Sequence, residues 1–225
     1  MHCIVTAGPT YEPLDAVRRL TNFSTGRLGT ELARFLTARG HETTLLIGEL
    51  AAYRGDPHAG KVERFTTTAS LRDRLQALAC HPADAVFHAA AVSDFGFGKV
   101  WRRSPEGELT EVRAGKLSTR QGTLLAELTP TPKIIAELRP WFPRAWLVGW
   151  KYEVAGERQS VIQLGARQVA ECRTDACVAN GPAYGTGFGL VRAGSEATHL
   201  PDTRALFAAL DELIRERRAA PSAGG

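Results

Sequence analysis

The chain has 225 residues, 44% of them hydrophobic, enough to bury the core of one sizeable α/β domain. Its net charge of +4 comes without a long basic stripe interleaved with aromatics, which excludes an extended nucleic-acid face, and no apolar run approaches the roughly 20 residues that span a bilayer. The opening MHCIVTAG lacks a charged region ahead of a long apolar segment and reads as a strand, so a cytoplasmic protein with neither membrane nor nucleic acid as partner is expected.

CIVTA (3–7) predicts a first strand. LGTELARFLTARG (28–40) carries apolar residues at helical spacing and closes on Gly40, which suits a helix C-terminus. ETTLLIG (42–48) and a short VERFTT (62–67) read as strands, and SLRDRLQALAC (70–80) as a helix capped by Ser70 or the threonines before it. DAVFHAAAV (84–92) reads as a buried strand. Continuously apolar strands alternating with helices predict an α/β fold: a parallel sheet with helices on both faces.

The middle departs from that pattern. GKVWRRSPEGELTEVRAGKL (98–117) sets a Pro-Glu-Gly turn between two polar, β-leaning runs, predicting a projecting β-hairpin arm over about 97–116. The alternation resumes with TPKIIAELRPWF (131–142) as a helix, AWLVGW (145–150) as a strand, ERQSVIQLGARQVAECR (157–173) as a helix and DACVAN (175–180) as a strand. GFGLVRAG and SEATHL predict a C-terminal hairpin, and TRALFAALDELIRERR (203–218) the closing helix. A single domain over 1–218 is expected, with 219–225 as a frayed tail.

The four cysteines show no CxxC spacing and the six histidines no metal-ligand spacing, so free thiols and no zinc site are expected. His88 interrupts an apolar run, and two readings stay open: a satisfied core histidine or a residue lining a site.

A strand-to-helix connection needs roughly 2–6 residues. The first strand and helix are instead joined through TAGPTYEPLDAVRRLTNFSTGRLG (6–29). Ser24, Thr25, Gly26 and Arg27 sit at the predicted helix N-terminus, where unpaired N–H groups and the helix dipole favour an anion. Gly26 and Gly29 leave room for a phosphate, although Ser or Thr before a helix can serve as a plain N-cap. A dinucleotide fingerprint would follow the strand directly, whereas here Gly8, Pro9 and Thr10 follow it and Gly26-x-x-Gly29 comes much later, against an ordinary NAD site. The intervening YEPLDAVRRLTNF suits wrapping a ligand or reaching a neighbouring subunit. At the end of AVFHAAAVSDF, Ala90 and Ala91 let a ligand lie against the backbone. Asp94 suits a ribose hydroxyl or magnesium as well as it suits a turn.

These blocks resemble the phosphopantothenate–cysteine ligases (phosphopantothenoylcysteine synthetases) of coenzyme A biosynthesis. The first loop is similar to their T-x-G-G-T-x-x-P-[IL]-D-x-V-R-x-[IL]-[STD]-N-x-S-[ST]-G-[KR]-x-G pattern. AAAVSDF resembles their second block, LVGWKYE stands in place of F-[AK]-x-E-T, and DACVAN resembles a later strand with its terminal Asn. The resemblance runs in order along nearly the whole chain. It implies a Rossmann-like sheet, a homodimer, and activation of 4′-phosphopantothenate by CTP or ATP with Mg2+, followed by attack of cysteine. No flavin is expected, and no decarboxylase portion is present in the sequence, so the coupling step alone is expected.

By the same resemblance, Asn22 would hold the acyl intermediate and Lys116, in GKLST, would close over the triphosphate, although on its own it reads as a solvated loop lysine. Arg18 would reach across a dimer to the substrate phosphate. Ser24, Gly26, Gly29, Ala90, Ala91, Asp94 and Asn180 would line the phosphopantothenate pocket. Gly8, Thr10, Thr25, Arg27, Asp94, Lys116, Lys133, Trp150 and Arg167 would serve the nucleotide, and the metal ligands stay unassigned.

The chain departs from the family pattern in several places. Ser118 and Thr119 replace lysines of the bacterial lid segment, Lys133 stands where N-P-D-I has its Asp, and Trp150 replaces Phe. Gln168 and Cys172 fall where two lysines are expected, leaving Arg167 as the nearest cation. These changes leave ATP and CTP both open. They also keep a non-catalytic nucleotide-binding module of the same fold in view. A short-chain reductase would need a Gly-rich first turn and a Tyr-x-x-x-Lys pair, and neither is visible.

Overall fold

The computed structural model describes residues 1–113, 115–118 and 122–219, the last three of these by backbone alone. From β1 (His2–Ala7) the chain passes through a small hairpin, β2 (Tyr11–Pro13) and β3 (Arg19–Thr21), into α1 (Arg27–Ala38). β4 (Glu42–Gly48), β5 (Lys61–Phe65), α2 (Thr68–Leu78) and β6 (Ala85–His88) follow, then an arm of β7 (Phe95–Arg103), β8 (Leu109–Glu111) and β9 (Thr123–Pro130). The remainder is α3 (Ile134–Trp141), β10 (Trp146–Tyr152), α4 (Arg158–Cys172), β11 (Ala176–Asn180), β12 (Phe188–Arg192), β13 (Thr198–Leu200) and α5 (Thr203–Ala219).

Eight strands form one sheet in the order β13-β12-β11-β10-β6-β1-β4-β5. The six from β11 to β5 pair in parallel, and β12 and β13 add an antiparallel edge. Strand alternation sorts the core. Cys3, Val5 and Ala7 face Leu32 and Leu36 of α1 and Leu206 and Leu210 of α5, while Ile4 faces Leu71, Leu75 and Leu138 on the opposite side. Leu32 and Leu36, one helical turn apart, are both fully buried, each contributing about 1.5–3 kcal/mol by leaving water. Thr67 caps α2 by accepting the Ser70 N–H at 3.1 Å, so the threonine alternative holds.

β4 and β5 lie to one side of β1, and β6, β10 and β11 to the other. The strand order reverses between β1 and β6, and the carboxyl ends there open a crevice suited to a ligand.

Four local expectations are corrected. The strand predicted over 84–92 ends at His88, because the peptides beyond it turn toward the exit of β1: Ala91 donates to Gly8 O at 3.0 Å and accepts from Thr10 N at 3.1 Å. The arm has three strands, not two, with β9 pairing β7 from Phe95–Pro130 to Arg103–Thr123. The first loop is organised by its own β2–β3 hairpin. The closing helix continues to Ala219, while the rest of the predicted tail (220–225), Ala114 of the predicted arm and Thr119 of the lid segment lie outside the described residues.

Candidate active site

Gly26 precedes α1 at φ 79°, a left-handed conformation that favours glycine, and supplies no side-chain cap. The Arg27 N–H donates to the Thr25 hydroxyl at 3.3 Å, and the first turn of α1 carries no acid, so its remaining N–H groups and the helix dipole favour an anion. A side chain at Gly29 would bring Cβ within 2.6 Å of Ala7 Cβ, so its smallness serves the packing of α1 on β1.

A cleft of about 1190 Å³ runs along the carboxyl ends of β1, β6, β10 and β11. It gathers most of the residues predicted from sequence: Asn22, Ser24, Thr25, Gly26, Arg27 and Gly29 from the first loop and α1, and Ala90, Ala91 and Asp94 beyond β6. Lys133 before α3, Trp150 on β10, Arg167 on α4 and Asn180 on β11 complete that set. Asn22 reaches across the rim, its Nδ2 donating to Ala91 O at 3.1 Å.

Four predicted residues stand outside the lining. Gly8 holds the Ala91 backbone from behind. Thr10 is fully buried, and its hydroxyl accepts Ser93 N at 2.8 Å, fixing the peptides beyond β6 and not touching the cleft. Arg18 is bound to Asp15 at 3.1 Å and to Leu117 O at 3.0 Å. Lys116 is exposed beside it.

The cleft is cationic, but unevenly. Arg27 pairs with Glu31 at 2.9 Å, and this hydrogen bond holds its guanidinium above the ordinary arginine range. Lys151 pairs with Glu153 at 3.1 Å. Among the described residues Lys133 and Arg167 have no ion-pair partner, and both stand on the α3–α4 side. His88 forms part of the floor, with Nδ1 3.0 Å from the Thr6 hydroxyl, and burial pushes its pKa down to about 4. Both earlier readings of His88 therefore hold: it is satisfied, buried and lining. Two further buried atoms of the lining, Trp150 Nε1 and Asn180 Oδ1, have no hydrogen-bond partner among the described residues.

Sequence reading missed Glu31, Lys151 and Glu171 among the charged lining residues. Glu31 had a usable signal, standing four residues after Arg27 on a predicted helix. The others are brought in only by the crossing of β10 and α4 over the sheet.

Among the described residues no group of three or more His, Cys, Asp or Glu could hold a metal by itself. Asp94, exposed at the rim, is a single carboxylate, and Mg2+ characteristically binds through one or two carboxylates together with substrate phosphates and water, so the donor set fits that ion. Among the described residues no helix is long and apolar enough to cross a membrane.

The family model for the DNA/pantothenate metabolism flavoprotein C-terminal domain matches residues 1–199. The chain is 30% identical over 181 residues to the coenzyme A biosynthesis bifunctional protein CoaBC of Thermococcus kodakarensis, covering 79% of this chain and 40% of that protein. It is 31% identical over 190 residues to the protein of the same name from Bacillus subtilis, covering 84% of this chain and 42% of that one. The chain thus spans less than half the length of these curated relatives. Among solved structures, a DNA/pantothenate metabolism flavoprotein from Streptococcus pneumoniae superposes with a TM-score of 0.82 at 23% identity, covering 96% of this chain and 99% of that one. A Cab2 mutant in complex with phosphopantothenate-cysteine superposes with a TM-score of 0.72 at 18% identity, covering 97% and 89%. At these identities the structural likeness establishes the fold.

Proposed function

The chain belongs to the DNA/pantothenate metabolism flavoprotein C-terminal domain family, and from that premise we propose that it ligates 4′-phosphopantothenate to L-cysteine, driven by a nucleoside triphosphate. The observation that carries this reading is the content of the cleft: the N-terminus of α1, Asn22 and two cations without an ion-pair partner among the described residues all line it, where the strand order reverses.

A carboxylate is a poor electrophile at neutral pH. In the first half-reaction its oxygen forms a bond to the α-phosphorus of the nucleotide and pyrophosphate leaves. In the second, the amine of cysteine attacks the acyl carbon, the nucleoside monophosphate leaves, and the amine loses a proton. Both steps concentrate negative charge, which N–H dipoles and fixed cations stabilise. Lys133 and Arg167 receive the triphosphate, Ser24, Thr25 and the first turn of α1 hold a phosphate, and Asn22 donates to the acyl oxygen. Trp150 offers an aromatic face to the base. Asp94, together with the phosphates, would hold Mg2+, which would supply charge neutralisation. His88 is neutral at pH 7 and shapes the floor without adding charge.

A homodimer in the cytoplasm belongs to the same reading. Val17 and Phe23 of the first loop, 64% and 105% exposed, and Phe95 and Leu128 of the arm leave apolar surface that a second copy would cover.

Pyrophosphate release with 4′-phosphopantothenate, cysteine and Mg2+ tests the proposal, run separately with ATP and with CTP. Cysteine-dependent turnover with either is expected and assigns the base. Nucleotide binding without turnover would instead favour a non-catalytic module of the same fold.

A further inference from the structure

The first loop and the arm meet at Asp15. Its side chain, 1% exposed, accepts from Val17 N at 2.8 Å, Arg18 N at 2.7 Å, Leu117 N at 3.0 Å and Arg18 Nη1 at 3.1 Å. Arg18 donates its Nη2 to Leu117 O at 3.0 Å, and Ala16 N donates to Gly115 O at 2.9 Å. Both flanks of Lys116 are thus hydrogen-bonded to residues 15–18, the Leu117 side chain is buried, and Lys116 itself stays exposed.

A solvated loop lysine needs none of this. A turn kept only for the stability of the arm would be bonded within the arm, whereas the Asp15–Leu117 bond spans 102 positions of sequence. The arrangement also changes what Arg18 is free to do. Two of its three guanidinium nitrogens are engaged inside the chain, and withdrawing them would leave the buried Asp15 carboxylate and the Leu117 carbonyl short of donors. The N–H of Leu117, followed by that of Val17, holds the Asp15 carboxyl below the usual carboxylate range, so it is ionised at neutral pH and acts purely as an acceptor.

We propose that Asp15 and Arg18 are positioning residues that clamp the backbone on both sides of Lys116 and so fix where its ammonium is presented. The assignment rests on the reading in which Lys116 meets the triphosphate. Asp15→Asn is the sharpest perturbation, because it sets an NH2 group against backbone N–H donors with little change in shape.

The test pairs limited trypsin digestion with pyrophosphate-release kinetics. In Asp15→Asn, cleavage after Lys116 should accelerate about tenfold, as local opening becomes easier. The kcat should fall about tenfold with the KM for phosphopantothenate unchanged, and Asp15→Asn/Lys116→Ala should be no slower than Lys116→Ala alone. Arg18→Gln, which leaves the backbone donors of Asp15 in place, should speed the same cleavage and serves if Asp15→Asn fails to fold. Unchanged cleavage at Lys116 in both variants would overturn the proposal. So would a raised KM for phosphopantothenate in Arg18→Gln with kcat and cleavage unchanged, which would return Arg18 to the substrate. The digestion needs no turnover, so a wild-type chain that released no pyrophosphate would remove the ligase reading without disturbing this result.

Discussion

The Thr6 hydroxyl stands 3.0 Å from Nδ1 of His88, tying the ends of β1 and β6 together beneath the cleft. The same hydroxyl accepts the Ala90 N–H at 3.1 Å, which leaves its own proton available for the ring. A neutral imidazole suits this arrangement, and burial favours the neutral form.

That relationship predicts acid sensitivity. The unfolded chain takes up a proton at His88 below its ordinary pKa of 6.5, while the folded chain resists until about 4. Stability from this group is therefore intact above pH 6.5 and declines as pH falls toward 4, by roughly 3 kcal/mol in total. Urea melts at pH 7 and pH 4.5 should differ by about 2–3 kcal/mol less in His88→Asn than in the wild type. An equal difference in both would show that His88 is not the titrating group.

Gly29→Ala should destabilise the protein by about 1–3 kcal/mol, the usual cost of overpacking. The added methyl would meet Ala7 Cβ at 2.6 Å and Thr6 O at 3.0 Å, and both belong to the central strand of the sheet. A denaturant midpoint within error of the wild type would mean that α1 can slide away from β1.

Lys133 and Arg167 should separate function from stability. Neither has an ion-pair partner among the described residues, so Lys133→Ala and Arg167→Ala should leave the thermal midpoint within a degree or two, by the general tolerance of surface sites (about ±0.5 kcal/mol). Each should raise the KM for the nucleotide about tenfold, the scale of one charge-assisted hydrogen bond. An unaltered KM would place the triphosphate elsewhere in the cleft.

Thiol titration should count one fast-reacting cysteine in the native protein, Cys80, and four after denaturation. Burial pushes the thiols of Cys3 and Cys177 up to about 12 and raises that of Cys172, so few thiolates form there at neutral pH. Two or more fast thiols in the folded protein would indicate that β1, β11 or the C-terminal end of α4 opens readily.

The sheet was legible in the sequence wherever a strand is buried on both faces, because an apolar run such as CIVTA admits few other readings. Legibility ended where burial did. β9 is exposed along nearly its whole length, so TLLAELTP carries no alternation, and its partner β7 begins 28 residues earlier. β6 was overextended because AAAV is as apolar as the strand it follows. What turns it is the backbone pairing of Ala91 with Gly8 and Thr10, which no periodicity encodes.

The candidate site divides along the same line. Residues 24–29 form a contiguous segment at a helix start, and local chemistry pointed to them directly, whereas the role of Asn22 came through resemblance. Lys133, Trp150, Arg167 and Asn180 come from four separate elements and were reachable only through resemblance to a family. Asp15 was quoted in the motif and given no role, because its partner at Leu117 is distant in sequence. Thr10 was assigned to the nucleotide through resemblance to the family, and its hydroxyl is hydrogen-bonded inward to Ser93.

The arm leaves and re-enters the domain at a single point. Phe95 pairs with Pro130, and Thr131 N donates to Asp94 O at 3.0 Å, so the two ends of a 36-residue excursion are stitched together at its base. Topologically it is an appendix: residues added at the distal turn around Pro105–Gly107 lengthen the excursion without shifting the register of any sheet strand. That turn is therefore a natural place to graft a tag or reporter while the crevice between β1 and β6 keeps its shape.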